Sequence, residues 1–180
     1  QAIKQQRLWH QVVLNLLGKG NHPILLNGPV SDYETLLPQY LAANERSHLM
    51  NYFMQTMIFH YLYEEYKDAR EFGVKTEPYL DGGVGAYTSV LFATFDSLIH
   101  LALWSELTEA EKRKTQKRIA SNQKKLKKWA RFAPTNSLHK ATLVDAELAR
   151  VQGNHARARE LYDEAIRLAR EHQFMQDEAL

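Results

Sequence analysis

Eight histidines are spread along 180 residues that contain no cysteine. Imidazole nitrogens hold a metal when they meet at short helical spacing, as in His-Glu-x-x-His, or in a compact cluster closed by thiolates or carboxylates. None of these histidines has such spacing, so no metal site and no cofactor is expected. His60 and His100 lie in apolar helical stretches and read as core or interface histidines, and His139 reads as a packing or capping residue. The segment Asp81-Gly82-Gly83-Val84-Gly85 would cradle phosphate only after a strand and before a Lys-Ser or Lys-Thr, and Ala86-Tyr87 supplies neither, so it reads as a turn. Ser89 and Ser105 lack the Gly-x-Ser-x-Gly turn of a nucleophile. No acid, base or metal constellation converges, and the chain is expected to perform no chemistry of its own.

Charge offers a different kind of chemistry. Between Lys112 and Arg131 lie ten lysines and arginines and no carboxylate, while the flanking sequence is mildly acidic, so the formal net charge of +2 conceals a local positive surface. Two readings stay open. The run is the solvated face of a long helix, or Lys124, Lys125, Lys127 and Lys128 form an electrostatic dock for an acidic protein domain. Nucleic acid is not expected as the partner, because no exposed aromatic interleaving or recognition-helix motif accompanies the run. A second candidate surface is the concave wall of a helical stack, where Asn51, Met54, Tyr61, Lys140, Glu147 and Arg150 would face a peptide or a neighbouring domain.

The elements that position these residues are helices. The chain is 44% hydrophobic, with only 8 glycines and 5 prolines, and it is rich in helix-forming residues, a composition that favours an all-α fold. The lack of cysteine excludes a disulfide scaffold and fits a reducing cytosol. No stretch approaches the ~18 uninterrupted apolar residues of a membrane span, since Val90–Trp104 is broken by Thr94, Asp96, Ser97 and His100. The opening without methionine and the close on Asp177-Glu178-Ala179-Leu180, which reads as the first turn of a helix, predict a fragment of a longer protein. Residues 1–180 are expected to form a single helical-repeat domain.

The periodicity predicts a helix over 3–17 ended by Gly18, then an ordered connection over 22–30 that tucks its leucines under a helix. Ser31 and Glu34 have capping-box spacing for a short helix through Leu41, and Asn44 is placed to cap a broadly apolar helix through Leu62. A more polar helix follows over 66–79, then an apolar one over 87–104. Thr108 and Glu111 form a second capping box, opening a helix whose core stripe is Thr115, Ile119, Asn122, Leu126, Trp129 and Ala133, with Pro134 as its stop. The last pair spans 137–152 and 154–171, with a new start after Phe174. About four helical hairpins result, with a weak period near the 34 residues of a tetratricopeptide unit.

Residues 139–171 carry most of that unit's pattern. Ala146 is the small residue of the first helix, Gly153 the turn, and Ala158, Tyr162 and Ala165 the close-packed stripe of the second. The pairing of 49–63 with 65–78 is a degenerate version, with Tyr66 and Ala69 in place.

An ordered series of words then resembles one known region: Leu25-Leu26-Asn27-Gly28-Pro29, Ala42-Ala43-Asn44-Glu45-Arg46, Tyr66-Lys67-Asp68-Ala69, Glu77-Pro78-Tyr79-Leu80-Asp81-Gly82, Asn122-Gln123-Lys124-Lys125-Leu126, Ala133-Pro134-Thr135-Asn136-Ser137 and Leu161-Tyr162-Asp163-Glu164-Ala165-Ile166. It is similar to the helical-repeat region of large bacterial signalling proteins that join a serine/threonine kinase, an AAA-type ATPase module, a GAF sensor and a histidine kinase or other output domain. The resemblance covers about Leu14 to Leu180, and it departs from the pattern at Glu64-Glu65-Tyr66 and at His100–Trp104. It implies a right-handed solenoid of hairpins acting as a cytoplasmic scaffold in signal transduction. Its partners would be domains of the same parent chain or a partner protein, with no membrane insertion. It carries over no catalytic residue, because the kinase and ATPase motifs lie outside this region. Exposed apolar ends predict self-association. The alternatives are a free-standing adaptor that captures a peptide in its groove and, from another class, an α-helical enzyme or small-ligand domain.

Overall fold

The computed structural model describes residues 2–83 and 87–180, with side chains from Gln6 onward. Every regular element among the described residues is helical, so the fold class is all-α; an isolated bridge between Asn27 and Asp32 is the one β-type pairing there. The α-helices are α1 (Ala2–Leu16), α2 (Tyr33–Ala42), α3 (Arg46–Leu62), α4 (Tyr66–Thr76), α5 (Thr88–Ala102), α6 (Glu109–Phe132), α7 (Pro134–Val151), α8 (His155–Glu171) and α9 (Met175–Glu178). None is long and apolar enough to cross a membrane. The chain divides into two compact units, Gln1–Ser89 and Val90–Leu180.

The first unit is built around α3, which packs on α4 and the 3-10 turn Glu77–Gly83 and touches α1 and α2. Twelve of its seventeen residues are buried, so it has almost no solvated face. Its core is aromatic: Tyr33 stacks on Tyr52 with ring centroids 4.6 Å apart, and Phe53 meets Phe72 and Tyr79 at 6.4 and 5.9 Å. Such pairs add about 1 kcal/mol each beyond their buried area. Burial and the neighbouring Tyr40 and Tyr52 hydroxyls push the Tyr33 phenol well above its ordinary value.

The connection after α1 is held by one side chain. Asn15 Nδ2 donates to the carbonyls of His22, Pro23 and Leu25 at 3.0, 3.2 and 2.8 Å, and its Oδ1 accepts from Gln11 at 2.8 Å. The expectation of tucked leucines holds for Leu26, buried with Ile24, whereas Leu25 is exposed.

The caps differ from the expected ones at two places. Asp32, rather than Ser31, caps α2, accepting from the Thr35 amide and hydroxyl, which hold its carboxyl below the usual range. Ser31 is buried and lies outside the helix. Asn44 does not cap α3: it occupies the left-handed region at φ 48°, and Glu45 is the N-cap. The Thr108–Glu111 capping box forms as expected. The expected helix over 66–79 is α4 alone, because Glu77 onward tightens into the 3-10 turn. Of the loop expected at 81–85, Asp81–Gly83 belong to that turn and residues 84–86 lie outside the described residues.

The second unit packs α6 and α8 on α7, and α9 on α8. On α6 the core stripe is Thr115, Ile119, Asn122, Gln123, Leu126 and Ala130; Trp129 and Ala133, expected in it, are half-buried. Within this unit α5 and α6 are tied by the Asp96 carboxylate, which accepts from Arg118 Nε and Nη2 at 2.8 and 2.7 Å and from Asn122 at 2.7 Å. Pro134 sits at the first position of α7, where its missing N–H is harmless, so α7 begins there and not at Ser137. On α7 and α8, Ala146, Ala149, Ala158 and Leu161 pack together under Tyr162.

One device recurs four times. The turns α2–α3, α3–α4, α7–α8 and α8–α9 each have three residues, and in each the middle residue adopts the left-handed conformation: Asn44 (φ 48°), Glu64 (63°), Gly153 (80°) and Gln173 (61°). In each, the third residue's amide closes a wide ring to a carbonyl five residues back. These bonds run from Glu45 to Tyr40, Glu65 to His60, Asn154 to Ala149 and Phe174 to Ala169, at 2.8–3.0 Å. This is the Schellman closure, which satisfies carbonyls orphaned at a helix end. Within each unit the two turns stand twenty residues apart and bracket a helix of 17 residues.

Candidate functional site

α6 exposes its cations because its apolar stripe is narrow: the six buried positions fall on one side, leaving the rest to solvent. Lys112 pairs with Glu109 at 2.9 Å, Arg118 with Asp96 at 2.7 Å and Lys127 with Asp145 at 2.8 Å. The other seven, Arg113, Lys114, Lys117, Lys124, Lys125, Lys128 and Arg131, are exposed and have no ion pair among the described residues. Of the expected docking lysines, Lys124, Lys125 and Lys128 are therefore unpaired, and Lys127 is tied to α7. Phe132, at the end of the same helix, is 82% exposed.

A cleft of about 450 Å³ opens between α6 and α7, lined by Ile119, Ala120, Gln123 and Lys124 on one wall and Asp145 and Leu148 on the other. Gln123 forms part of the floor: its Nε2 donates to the Ala141 carbonyl at 2.9 Å and to Asp145 at 2.5 Å. Its Oε1 is buried without a hydrogen-bond partner. Such an orphaned acceptor costs about 1–3 kcal/mol unless something donates to it.

The concave-wall residues fare differently. Met54 is completely buried, Asn51 is 3% exposed and donates to the Ser47 carbonyl at 2.9 Å, and Tyr61 is half-buried beside Tyr66. Lys140 is 2% exposed. Asn51, Met54 and Lys140 thus lie inside the protein, where a partner does not reach them, because α3 and α7 bury more of their circumference than a one-sided helix would. Glu147 and Arg150 are brought together: Arg150 Nη2 donates to Glu147 at 2.6 Å, and the Tyr162 hydroxyl of α8 donates to the same carboxylate. Burial and that carboxylate push the Tyr162 phenol up to about 12.

Lys140 belongs to a buried cluster that sequence reading did not find. Its Nζ donates to Asp177 of α9, lies 2.9 Å from His139 Nε2 and sits 4.7 Å from the Phe174 ring centroid. His139 Nε2 is also 2.9 Å from Asp177 Oδ2. Burial raises the Asp177 carboxyl, but the hydrogen bonds from His139 and Lys140 outweigh it and hold the group below its ordinary value. Burial in turn pushes the Lys140 amine down against the pull of Asp177. The partners are 37 residues apart in sequence, so no local spacing announces them.

Among the other histidines, His60 stacks on Phe72 at 5.0 Å, and its Nδ1 lies 2.7 Å from Glu65. With Asp68 these groups place three potential ligand atoms within 4.8 Å, a cluster built across the α3–α4 turn from one histidine and two exposed carboxylates. His100 Nδ1 faces the Asp96 carbonyl at 2.7 Å.

No family model matches the chain, and no curated protein and no solved structure matches it either.

Proposed function

We propose that this chain is a non-catalytic helical-repeat scaffold, a tetratricopeptide-like right-handed stack of antiparallel hairpins in a cytoplasmic bacterial signal-transduction kinase. In this reading it fixes the spacing between catalytic, sensor and output modules and docks one of them on the basic face of α6. The observation that carries the reading is the recurring turn. The same three-residue left-handed closure, set twenty residues apart in both units around helices of equal length, supports the reading of a tandem array of one hairpin unit. The seven unpaired cations of α6 supply a surface with charge to spare for a partner.

The adaptor alternative, with a peptide in a groove lined by Asn51, Met54, Tyr61, Lys140, Glu147 and Arg150, has less support because Asn51, Met54 and Lys140 are covered. The test is a calorimetric titration of this chain against the separately produced domains that neighbour it in its parent protein, at low and moderate salt. Salt-sensitive binding abolished by neutralising Lys124, Lys125, Lys127 and Lys128 together is the expected result. Absence of binding to every such domain sinks the scaffold reading.

A further inference from the structure

The cations of α6 are not evenly spread. At ~100° per residue, Arg113, Lys117, Lys124, Lys128 and Arg131 fall on the side opposite Ile119 and Leu126, forming one row about 27 Å long. The row is interrupted in the middle by the exposed small residues Ala120 and Ser121, and the cleft floored by Gln123 opens beside Ala120. Two cationic clusters thus flank a low waist, and the waist adjoins the cleft between α6 and α7.

We infer that this waist is a crossing point for an acidic helix of a protein partner. Its carboxylates engage the two clusters, and one side chain between them enters the cleft beside Ala120. Small residues let helix axes approach closely, and complementary charge on both sides sets the crossing register. A tyrosine ring fits the cleft, where it meets Ile119 and Leu148. Nucleic acid or an anionic membrane would use the cations but has no need of the waist or the cleft. This inference rests on the docking reading above and specifies its site.

The probe is a fluorescein-labelled 18-residue helical peptide with glutamates toward both ends and a central Ala-Tyr-Ala, measured by anisotropy against the full 180-residue chain at two salt concentrations. The decisive variant is Ala120→Arg. It adds positive charge to an exposed position, so diffuse electrostatics predicts tighter binding, whereas a waist predicts at least about tenfold weaker binding from the lost close approach. Lys124→Gln with Lys128→Gln should weaken binding about tenfold and flatten its salt dependence. Replacing the peptide tyrosine by alanine should weaken binding several-fold, because the cleft is then left unfilled.

Equal or tighter binding by Ala120→Arg overturns the inference, as does equal binding of a peptide of the same composition with all glutamates at one end. Tighter binding of a 20-nucleotide oligo-dT or of phosphatidylserine vesicles overturns it in favour of those polyanions. If the parent domains bind but ignore Ala120→Arg, the inference fails and the scaffold reading stands. If the peptide binds at the waist and no parent domain binds, the scaffold reading fails and the site stands.

Discussion

α3 and α8 are both 17 residues long and both lie between Schellman turns twenty residues apart, yet they differ in burial. α3 hides twelve residues, including His48, Asn51, Gln55 and His60; α8 hides five, all alanine or leucine, on one stripe. The shared frame is a property of local backbone closure, and the burial is a property of how many elements surround the helix. α3 is packed by four elements of its unit, while α8 packs on α7 and α9. Helix length and turn are therefore separable from burial, and the same local unit serves as interior or as outer wall.

The largest expected effect tests that separation directly. Leu49→Ala, in the middle of the first unit's core, should cost about 4 kcal/mol, and Leu168→Ala in α8 about 2 kcal/mol, because Leu168 is buried on a single stripe whose surroundings can collapse more readily. Denaturant unfolding monitored by circular dichroism checks the ranking, and equal losses would break the contrast. Next in size is Asp177→Asn, which leaves Lys140 buried without its carboxylate. A fully enclosed site would lose about 3 kcal/mol. Here α9 can undock instead, so the readout is faster amide exchange at Phe174–Glu178, with α8 unaffected.

The same cluster gives a pH dependence. Asp177 has a lowered folded-state value, so its contribution is complete above the ordinary carboxylate range and is lost as pH falls through the lowered value. Lys140 is also lowered, by burial, so stability again rises with pH, but in the window between its lowered value and the ordinary amine range. The Phe174 ring resonances should accordingly report undocking on acidification. Constant Phe174 shifts through the carboxylate range would remove Asp177 as the holding contact.

Smaller effects sharpen the turn comparison. Glu64 pays for a left-handed conformation that Gly153 adopts freely, so Glu64→Gly should stabilise the first unit by up to about 1 kcal/mol and Gly153→Ala should destabilise the second by about as much. Opposite signs in thermal melts are the expected result. Smallest of all, Lys128→Gln should shift stability by less than about 0.5 kcal/mol, since the side chain is exposed and unpaired.

The helices were legible in sequence because amphipathic spacing, the Thr108–Glu111 box and Gly18 or Gly153 are local signals. The recurring turn was only partly legible. Its signature glycine is present at 153, but Asn44, Glu64 and Gln173 take the same conformation with residues that read as cap, charge or linker. Asn44 illustrates the ambiguity: its side chain suits both an N-cap and the left-handed region, and the Schellman closure from Glu45 decided between them. At the candidate site, the cations were plain in the sequence and their pairing was not. Gln123 reads as one polar residue in a basic run, and only packing reveals it as a cleft floor. The concave wall misplaced Asn51, Met54 and Lys140 because one-dimensional periodicity does not count how many neighbours a helix acquires.

The three-residue turns also have a mechanical side. A connection that short spans at most about 10 Å and leaves no slack between successive helices. A 17-residue helix is about 25 Å long, so a rotation of ~10° at its turn carries the far end through roughly 4 Å. Each joint is thus the fulcrum of a lever, and a small torsion at Glu64 or Gly153 becomes a displacement comparable to a side chain at the opposite end.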